Sequence, residues 1–275
     1  HWRLIYYGPQ PNGYDWYSYN GGSQIILILM LLVGLFLLVQ WITRRQFVLP
    51  VRQLVQHIDA CGKGVIDTRH FMHIMDGIQL LQASKNWTSK DQSGMEGWVK
   101  DFIQWLGNSK IGKEEMNAPN NHGVWYDAQL LAYAGFMRDT NLTKTIYTRV
   151  LNRLDQEMDA QGSFPLEMKR TTSLHYSVFI LNAYSSLATR FQQLGLDLWQ
   201  TKTASGKSLK IGFDFVLPYL LKKQQWTGPQ INAFKEAEAI PLLNKALTQY
   251  GCTGCTDEIK RLAGAAYPSL LMKLL

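Results

Sequence analysis

Asn120-Asn121-His122-Gly123-Val124-Trp125-Tyr126-Asp127 begins as a loop and ends as a helix. Its Asn-rich start has turn chemistry, and the run after Gly123 reads as the entry into an apolar helix. Helical patterns lie on both sides. Upstream, Ile66, Phe71, Ile74, Ile78 and Leu81 recur at helical spacing. Thr88 with Asp91 then makes a capping box before the stripe Trp98, Phe102 and Trp105, which Gly107-Asn108 ends. Downstream, helices are expected over 124–137, 142–158, 174–195, 209–223, 229–247 and 256–273. No alternating strand and no Asn-Gly hairpin breaks the series. From residue 60 onward the chain therefore reads as all-α, built of antiparallel helical hairpins.

With 275 residues, 46% of them hydrophobic, the chain can bury the core of one large or two small domains. A formal net charge of +7 points to an anionic partner. No Lys/Arg-rich run and no aromatic-basic RNA motif accompanies it, so nucleic acid is set aside and an acidic polysaccharide fits the modest excess. Three cysteines leave one that is free or pairs outside the chain, which excludes a disulfide-stapled scaffold. The first residue is His1 rather than Met, and the chain is read as a fragment or processed product.

Residues 1–59 are read as a separate N-terminal segment and 60–275 as the helical domain. Residues 1–23 show no helical period. From Ile25 to Val39 every residue is apolar (Gly34 included), and Trp41-Ile42 extend the run past one Gln. A long apolar helix over 24–43 is expected, near the ~20 residues that cross a bilayer, with membrane contact through 25–42. Tyr17, Tyr19 and Trp41 sit where interfacial aromatics would, and Arg44, Arg45 and Arg52 place the following chain on the cytoplasmic side. A signal peptide would carry its charges before the apolar run. A buried core helix is the competing reading. Arg44 to Leu54 resembles the membrane-proximal linker of bacterial sensor kinases.

A second polar stretch, Arg170-Thr171-Thr172-Ser173-Leu174-His175-Tyr176, follows one helical hairpin after the first. Together the two supply an imidazole titrating near neutrality, a phenol, a guanidinium and an amide, the groups that acid–base work on an acidic sugar needs. Each has a plainer reading. A His among Asn residues is more often a loop hydrogen-bonder, and Tyr176 can pack beside Leu174 and Phe179. Trp125 and Tyr126 either stack on sugar rings or belong to the core. His175 either handles a proton or is a surface residue. His70 and His73, flanked by Asp67 and Asp76, lack a further metal ligand and zinc-protease spacing. Asp67-Thr68-Arg69 reads as a buried ion-pair corner or part of a carbohydrate subsite. Cys252-Thr253-Gly254-Cys255 has neither a partner pair nor a βαβ context, so zinc or redox function is not assigned. No nucleotide, flavin or haem motif appears, and no cofactor or metal is expected.

Four stretches in order give a more specific signal: Gly64-Val65-Ile66-Asp67-Thr68-Arg69, Gly112-Lys113-Glu114-Glu115, Asn120 to Gln129, and Phe164-Pro165-Leu166-Glu167 leading to Arg170–Tyr176. From Gly62 to Leu275 the chain resembles the alginate lyases, a family of polysaccharide lyases. That resemblance implies an α/α toroid, here incomplete, and a catalytic set of Asn121, His122, Arg170 and Tyr176. Asn120, Trp125, Tyr126, Arg69 and His175 are the candidate substrate-binding residues. The implied reaction is β-elimination on a uronate polymer: the C5 proton leaves, then the C4–O bond breaks. The C5 proton is scarcely acidic beside a charged carboxylate, so the site must neutralise that group, a task for Arg170 and Asn121. His122 is base or neutraliser, and Tyr176 is acid or both acid and base. Syn elimination, as mannuronate and glucuronate require, favours Tyr176 in both roles; guluronate is anti and favours His122. A periplasmic or secreted location follows from the resemblance, against membrane anchoring through 25–42. Lyases of this kind carry further N-terminal helices and a lid where this chain has its apolar segment. A chimeric or truncated chain joined near Asp59–Gly62 is the expectation, and a non-catalytic, anionic-polysaccharide-binding or membrane-tethered fragment is the alternative function.

Overall fold

In a computed structural model the described residues are 64–84 and 87–264. Chain contacts divide the molecule into His1–Gly62 and Lys63–Leu275, and the described residues fall in the second unit. The apolar helix expected over 24–43, the linker after it and the Asp59–Gly62 join lie outside them. Among the described residues no helix is long and apolar enough to cross a membrane.

The architecture is all-helical. A 3₁₀ helix, Val65–His70, runs into α1 (Phe71–Leu81). Then come α2 (Ser89–Asn108), α3 (Lys110–Asn117), α4 (Asn121–Phe136) and α5 (Thr140–Glu157). After these follow a single turn α6 (Pro165–Met168), α7 (Ser173–Gln193), α8 (Leu209–Leu220), α9 (Ile240–Tyr250) and α10 (Cys255–Ala263). Among the described residues the one bridge between extended residues is Thr172 with Gln230.

Helix α4 is the hub, packed against α1, α3, α5 and α7. Every residue in it except His122 and Gly135 is buried. Such a helix cannot show an amphipathic stripe, because neighbours cover all sides, and its polar residues Asn121, Asp127 and Gln129 are buried with hydrogen-bond partners. Residues 137–139 turn the chain tightly into α5, whose first turn is capped when the Leu142 N–H donates to Asp139 Oδ1 at 2.9 Å. The Thr88–Asp91 capping box expected from sequence opens α2. Its aromatic stripe also forms, with Trp98, Phe102 and Trp105 stacked in series.

Three expectations need correction. Helix α4 starts at Asn121 rather than 124, because Asn120 caps it by accepting the His122 N–H at 3.1 Å, so the imidazole rides on a helix. Lys110–Asn117, not among the expected helices, forms α3 under the Ser109 cap. The helix expected over 229–247 forms only from Ile240, after a 3₁₀ turn at Glu236–Ala239. Residues 226–232 run instead as an extended strap across the start of α7. Its main chain is anchored there when the Ser173 N–H donates to the Pro229 carbonyl at 2.9 Å and the Ile231 N–H to the Thr171 carbonyl at 2.9 Å.

Candidate active site

The site is built where two helices begin. At the start of α4 the first N–H groups of the helix have no partner within it and need acceptors from elsewhere. Asn120 supplies one, and the buried carboxylate of Glu167, on α6, supplies another. Glu167 Oε1 accepts from the Asn121 backbone N–H at 2.7 Å and from Asn121 Nδ2 at 2.9 Å. Pro165 starts α6 with its fixed φ, which brings Glu167 up beneath α4 within one turn.

His122 projects from the second position of α4. Its Nδ1 lies 2.9 Å from Glu115 Oε2 and 3.0 Å from Oε1, on α3. The carboxylate can only accept, so Nδ1 carries the proton and Nε2 is the nitrogen left for chemistry in the neutral ring. The hydrogen bond to Glu115 raises the His122 pKa above its ordinary value; burial and the Arg170 charge oppose that rise, and Glu167 adds to it. Those influences also place Arg170 and Glu167 within electrostatic reach of the imidazole.

Behind these residues a buried charge network fixes the loop that presents them. Asp127, fully buried on α4, is bracketed by Arg149 and Arg153 from α5. Arg153 then reaches across to the turn between α3 and α4, donating to the Met116 carbonyl at 2.6 Å and the Ala118 carbonyl at 2.7 Å. Gly123 is required here, because a Cβ on it would run into the Arg153 guanidinium and the Ala118 carbonyl. Glu157 pairs with Arg153 at 2.6 Å, yet burial pushes its pKa up to about 7.

At the start of α7, Arg170 Nη2 donates to the Tyr176 phenolic oxygen at 2.7 Å, with its guanidinium carbon 3.9 Å from the ring centroid. His175, one residue earlier, pairs with Glu238 at 2.8 Å and stacks on Phe179. Phe179 meets Trp125 at 5.2 Å, and Arg69 lies 5.6 Å from the Phe179 centroid. An aromatic row with a cation at either end, Arg69 and Arg170, thus runs along α7 from Phe179 to Tyr176.

The sequence profile of the alginate lyase family matches residues 38–226, more than half of the chain. The chain belongs to the alginate lyase family. A solved structure of an alginate lyase from Bacteroides ovatus shares 29% identity and superposes with a TM-score of 0.68, over 75% of this chain and 55% of that one. The chain thus spans about half the length of that relative. No curated protein sequence matches it. The family match starts upstream of Gly62, where the resemblance was first read, and takes in the stretch assigned to a kinase-like linker. It also runs through the join expected near Asp59–Gly62.

Among the residues carried over from the family, Asn121 and His122 adjoin at the start of α4, Arg170 lies within electrostatic reach of His122, and Arg170 donates to Tyr176. Asn121 is 1% exposed, and one hydrogen of its amide nitrogen is engaged with Glu167. Tyr126 is a correction: it is 1% exposed, its hydroxyl bonded to the Leu106 carbonyl, and burial pushes its pKa up to about 12. It belongs to the core. Trp125 is 8% exposed and packs on Phe179. Asn120 is a helix cap. Asp67 is exposed while Thr68 is buried against Gln129, so that stretch is no buried ion-pair corner. Asp76 takes a two-pronged ion pair from Arg190 instead of joining His73 as a metal ligand. Cys252 and Cys255 are joined in a disulfide at the start of α10. Glu115 and Glu167 were missed as site residues although both lie in family-like stretches; their roles depend on partners 7 and 46 residues away.

Proposed function

We propose that the chain cleaves a uronate polysaccharide by syn β-elimination, with Tyr176 as both base and acid and His122 as the group that neutralises the carboxylate. The observation that carries the reading is the Arg170–Tyr176 pair. A guanidinium donating into the phenolic oxygen sets positive charge where a phenolate forms, which suits a tyrosine that removes the C5 proton. The same hydroxyl then returns a proton to the C4 oxygen as that bond breaks, leaving a C4–C5 double bond and a free hydroxyl on the departing sugar. Both events fall on one face of the ring, which matches mannuronate and glucuronate linkages.

The His122–Glu115 pair supports the neutralising role. Its raised pKa keeps the imidazole charged further into the neutral range than an unpartnered histidine, and a charged ring meets a carboxylate better than it removes a proton. Arg170 has further N–H groups for the same carboxylate. Arg69 with Phe179, and His175 on Phe179, suit a neighbouring sugar: an aromatic face for the ring and a cation for its carboxylate. A periplasmic or secreted location accompanies this reading, since such polymers lie outside the cell.

Incubation with polymannuronate, polyguluronate and glucuronan tests it. Unsaturated uronate, seen as rising ultraviolet absorbance, is expected from polymannuronate or glucuronan and to a lesser degree from polyguluronate. Turnover confined to polyguluronate would reverse the roles of Tyr176 and His122, and a folded protein silent on all three would remove the reading.

A further inference from the structure

The far end of α4 opens onto a groove of about 640 Å³, inside the range of roughly 300–1,000 Å³ that holds small ligands. Gln82 lines it at the end of α1, Trp87 stands before α2, and Gln92 and Glu96 come from the first turns of α2. The end of α4 from Gly135 to Arg138 completes the lining. His122 and Gly135 belong to one continuous helix, along which they stand about 20 Å apart. The groove is therefore separate from the catalytic residues. A Cβ at Gly135 would stand in open space.

The lining is polar and already ordered. Trp87 Nε1 donates to Gln92 Oε1 at 2.8 Å, and Gln82 Nε2 donates to the same oxygen at 2.9 Å. Gln92 Nε2 then donates to Glu96 Oε1 at 2.7 Å. An indole N–H only donates and a carboxylate only accepts, so the Gln92 amide has one orientation. Gln82 keeps its carbonyl and one amide hydrogen, and Glu96 keeps its second oxygen. Donors and acceptors side by side suit sugar hydroxyls, each of which both donates and accepts. Trp87 is half-buried, and among the described residues no other ring contacts it. Arg138 adds the charge. It follows the end of α4 with φ 56°, a left-handed conformation that glycine takes freely and a side chain takes at a cost. Its side chain is exposed, and among the described residues the guanidinium has no acceptor and no ring partner. A side chain carried at a conformational cost, with nothing inside the protein to hold, points to a partner outside it.

We propose that this groove is a second, non-catalytic binding site for an acidic polysaccharide, with a uronate ring on the Trp87 indole, its hydroxyls on Gln82 and Glu96, and its carboxylate on Arg138. The identity of the polymer rests on the lyase reading; the groove and its chemistry do not. A long chain caught here stays near the catalytic residues at a raised effective concentration. The site therefore acts on KM for long polymers and leaves the chemical step alone. A short oligosaccharide, which cannot reach both ends of α4, gains nothing from it.

Two measurements decide it. The first is independent of turnover and uses the whole chain carrying Tyr176→Phe, titrated with a saturated mannuronate tetrasaccharide and, separately, with mannotetraose, which lacks the carboxylates. The Trp87 indole N–H resonance, assigned by its loss in Trp87→Phe, should move along a saturable isotherm with the uronate. Mannotetraose should bind at least about fivefold more weakly, the worth of one charge-assisted hydrogen bond. Arg138→Gly, which keeps the left-handed turn without its cost, should bring the uronate down to the level of mannotetraose. Gly135→Phe, whose ring enters open space, should abolish the movement. An indole resonance that stays in place at millimolar sugar, or equal affinity for the two tetrasaccharides, would overturn the proposal. The second is kinetic, with Tyr176 in place: Arg138→Gly should raise KM for long polymannuronate about threefold or more. Its kcat and its rate on the tetrasaccharide should stay unchanged, and a fall in kcat would contradict a non-catalytic site. Movement of the indole in a protein that yields no unsaturated uronate removes the lyase reading and keeps the site. Turnover with a motionless indole removes the site alone.

Discussion

The two helix starts that form the site are held in different ways. At α4, side chains from three other elements converge. Glu167 takes the first N–H, Glu115 fixes the imidazole, and Arg153 ties down the preceding turn, all of them one-half or more buried. At α7 the holding is done by an extended strap at the surface. Pro229 and Gln230 receive N–H groups of Ser173 and Leu174, Trp226 donates to the Ser173 hydroxyl at 2.9 Å, and Ile231 stands 71% exposed. Charged hydrogen bonds in a dry interior are strong and leave little freedom, whereas a solvated strap held by a few neutral bonds can move. The α4 start therefore suits a group that must keep one orientation and one protonation state. The α7 start suits a group that must follow a sugar through bond breaking.

The same contrast appears in two histidine–carboxylate pairs. The Glu115 side chain is 12% exposed and Glu238 39%, although the two pairs have nearly equal lengths, 2.9 and 2.8 Å. An exposed pair of this kind contributes little, about 0–1 kcal/mol.

The largest effect should come from Arg153→Met. It leaves Asp127 with one guanidinium instead of two and frees the Met116 and Ala118 carbonyls, so a loss of roughly 3–5 kcal/mol in urea unfolding is expected. A loss below about 1 kcal/mol would show that the α4 start is no more firmly held than the strap.

Next in size is Glu115→Gln. With the hydrogen-bonded anion gone, the raised His122 pKa falls, and the neutralising imidazolium is lost at lower pH. The alkaline limb of kcat/KM should move to lower pH, reducing the rate several-fold at mildly alkaline pH and little in acid. Stability carries the same sign: a raised histidine contributes most below its unfolded pKa and loses that contribution as pH rises through the folded value. The stability–pH curve should therefore flatten in the variant. A shift of the acid limb instead would make His122 the base.

The smallest effect belongs to the α7 side. Glu238→Gln should change the melting temperature by no more than about 2–3 °C and leave the pH profile in place. A profile moved as far as in Glu115→Gln would dissolve the contrast between the two pairs.

Helix content was legible because periodicity and capping are local: the Thr88–Asp91 box and the Trp98–Phe102–Trp105 stripe form as read. The strap over 226–232, from residue 229 part of the expected 229–247 helix, was not, since only its pairing with Thr171–Leu174, more than 50 residues away, holds it straight. Tyr126 was misread for a related reason. An aromatic at a helix start looks available in one dimension, and only the packing of α4 on all sides removes it from solvent. His122, Arg170 and Tyr176 were found through family-like wording, whereas Glu115, the partner of His122, sits in a charged surface-like run that gives no hint of burial.

The account's central claim is that Tyr176, held by Arg170, moves both protons. Its most direct test compares the native protein with Tyr176→Phe on polymannuronate and glucuronan, following ultraviolet absorbance and, separately, binding of an oligouronate by calorimetry. The account predicts a rate reduced by at least about 100-fold with the oligosaccharide still bound; a variant that turns over at a rate near the native one would contradict it.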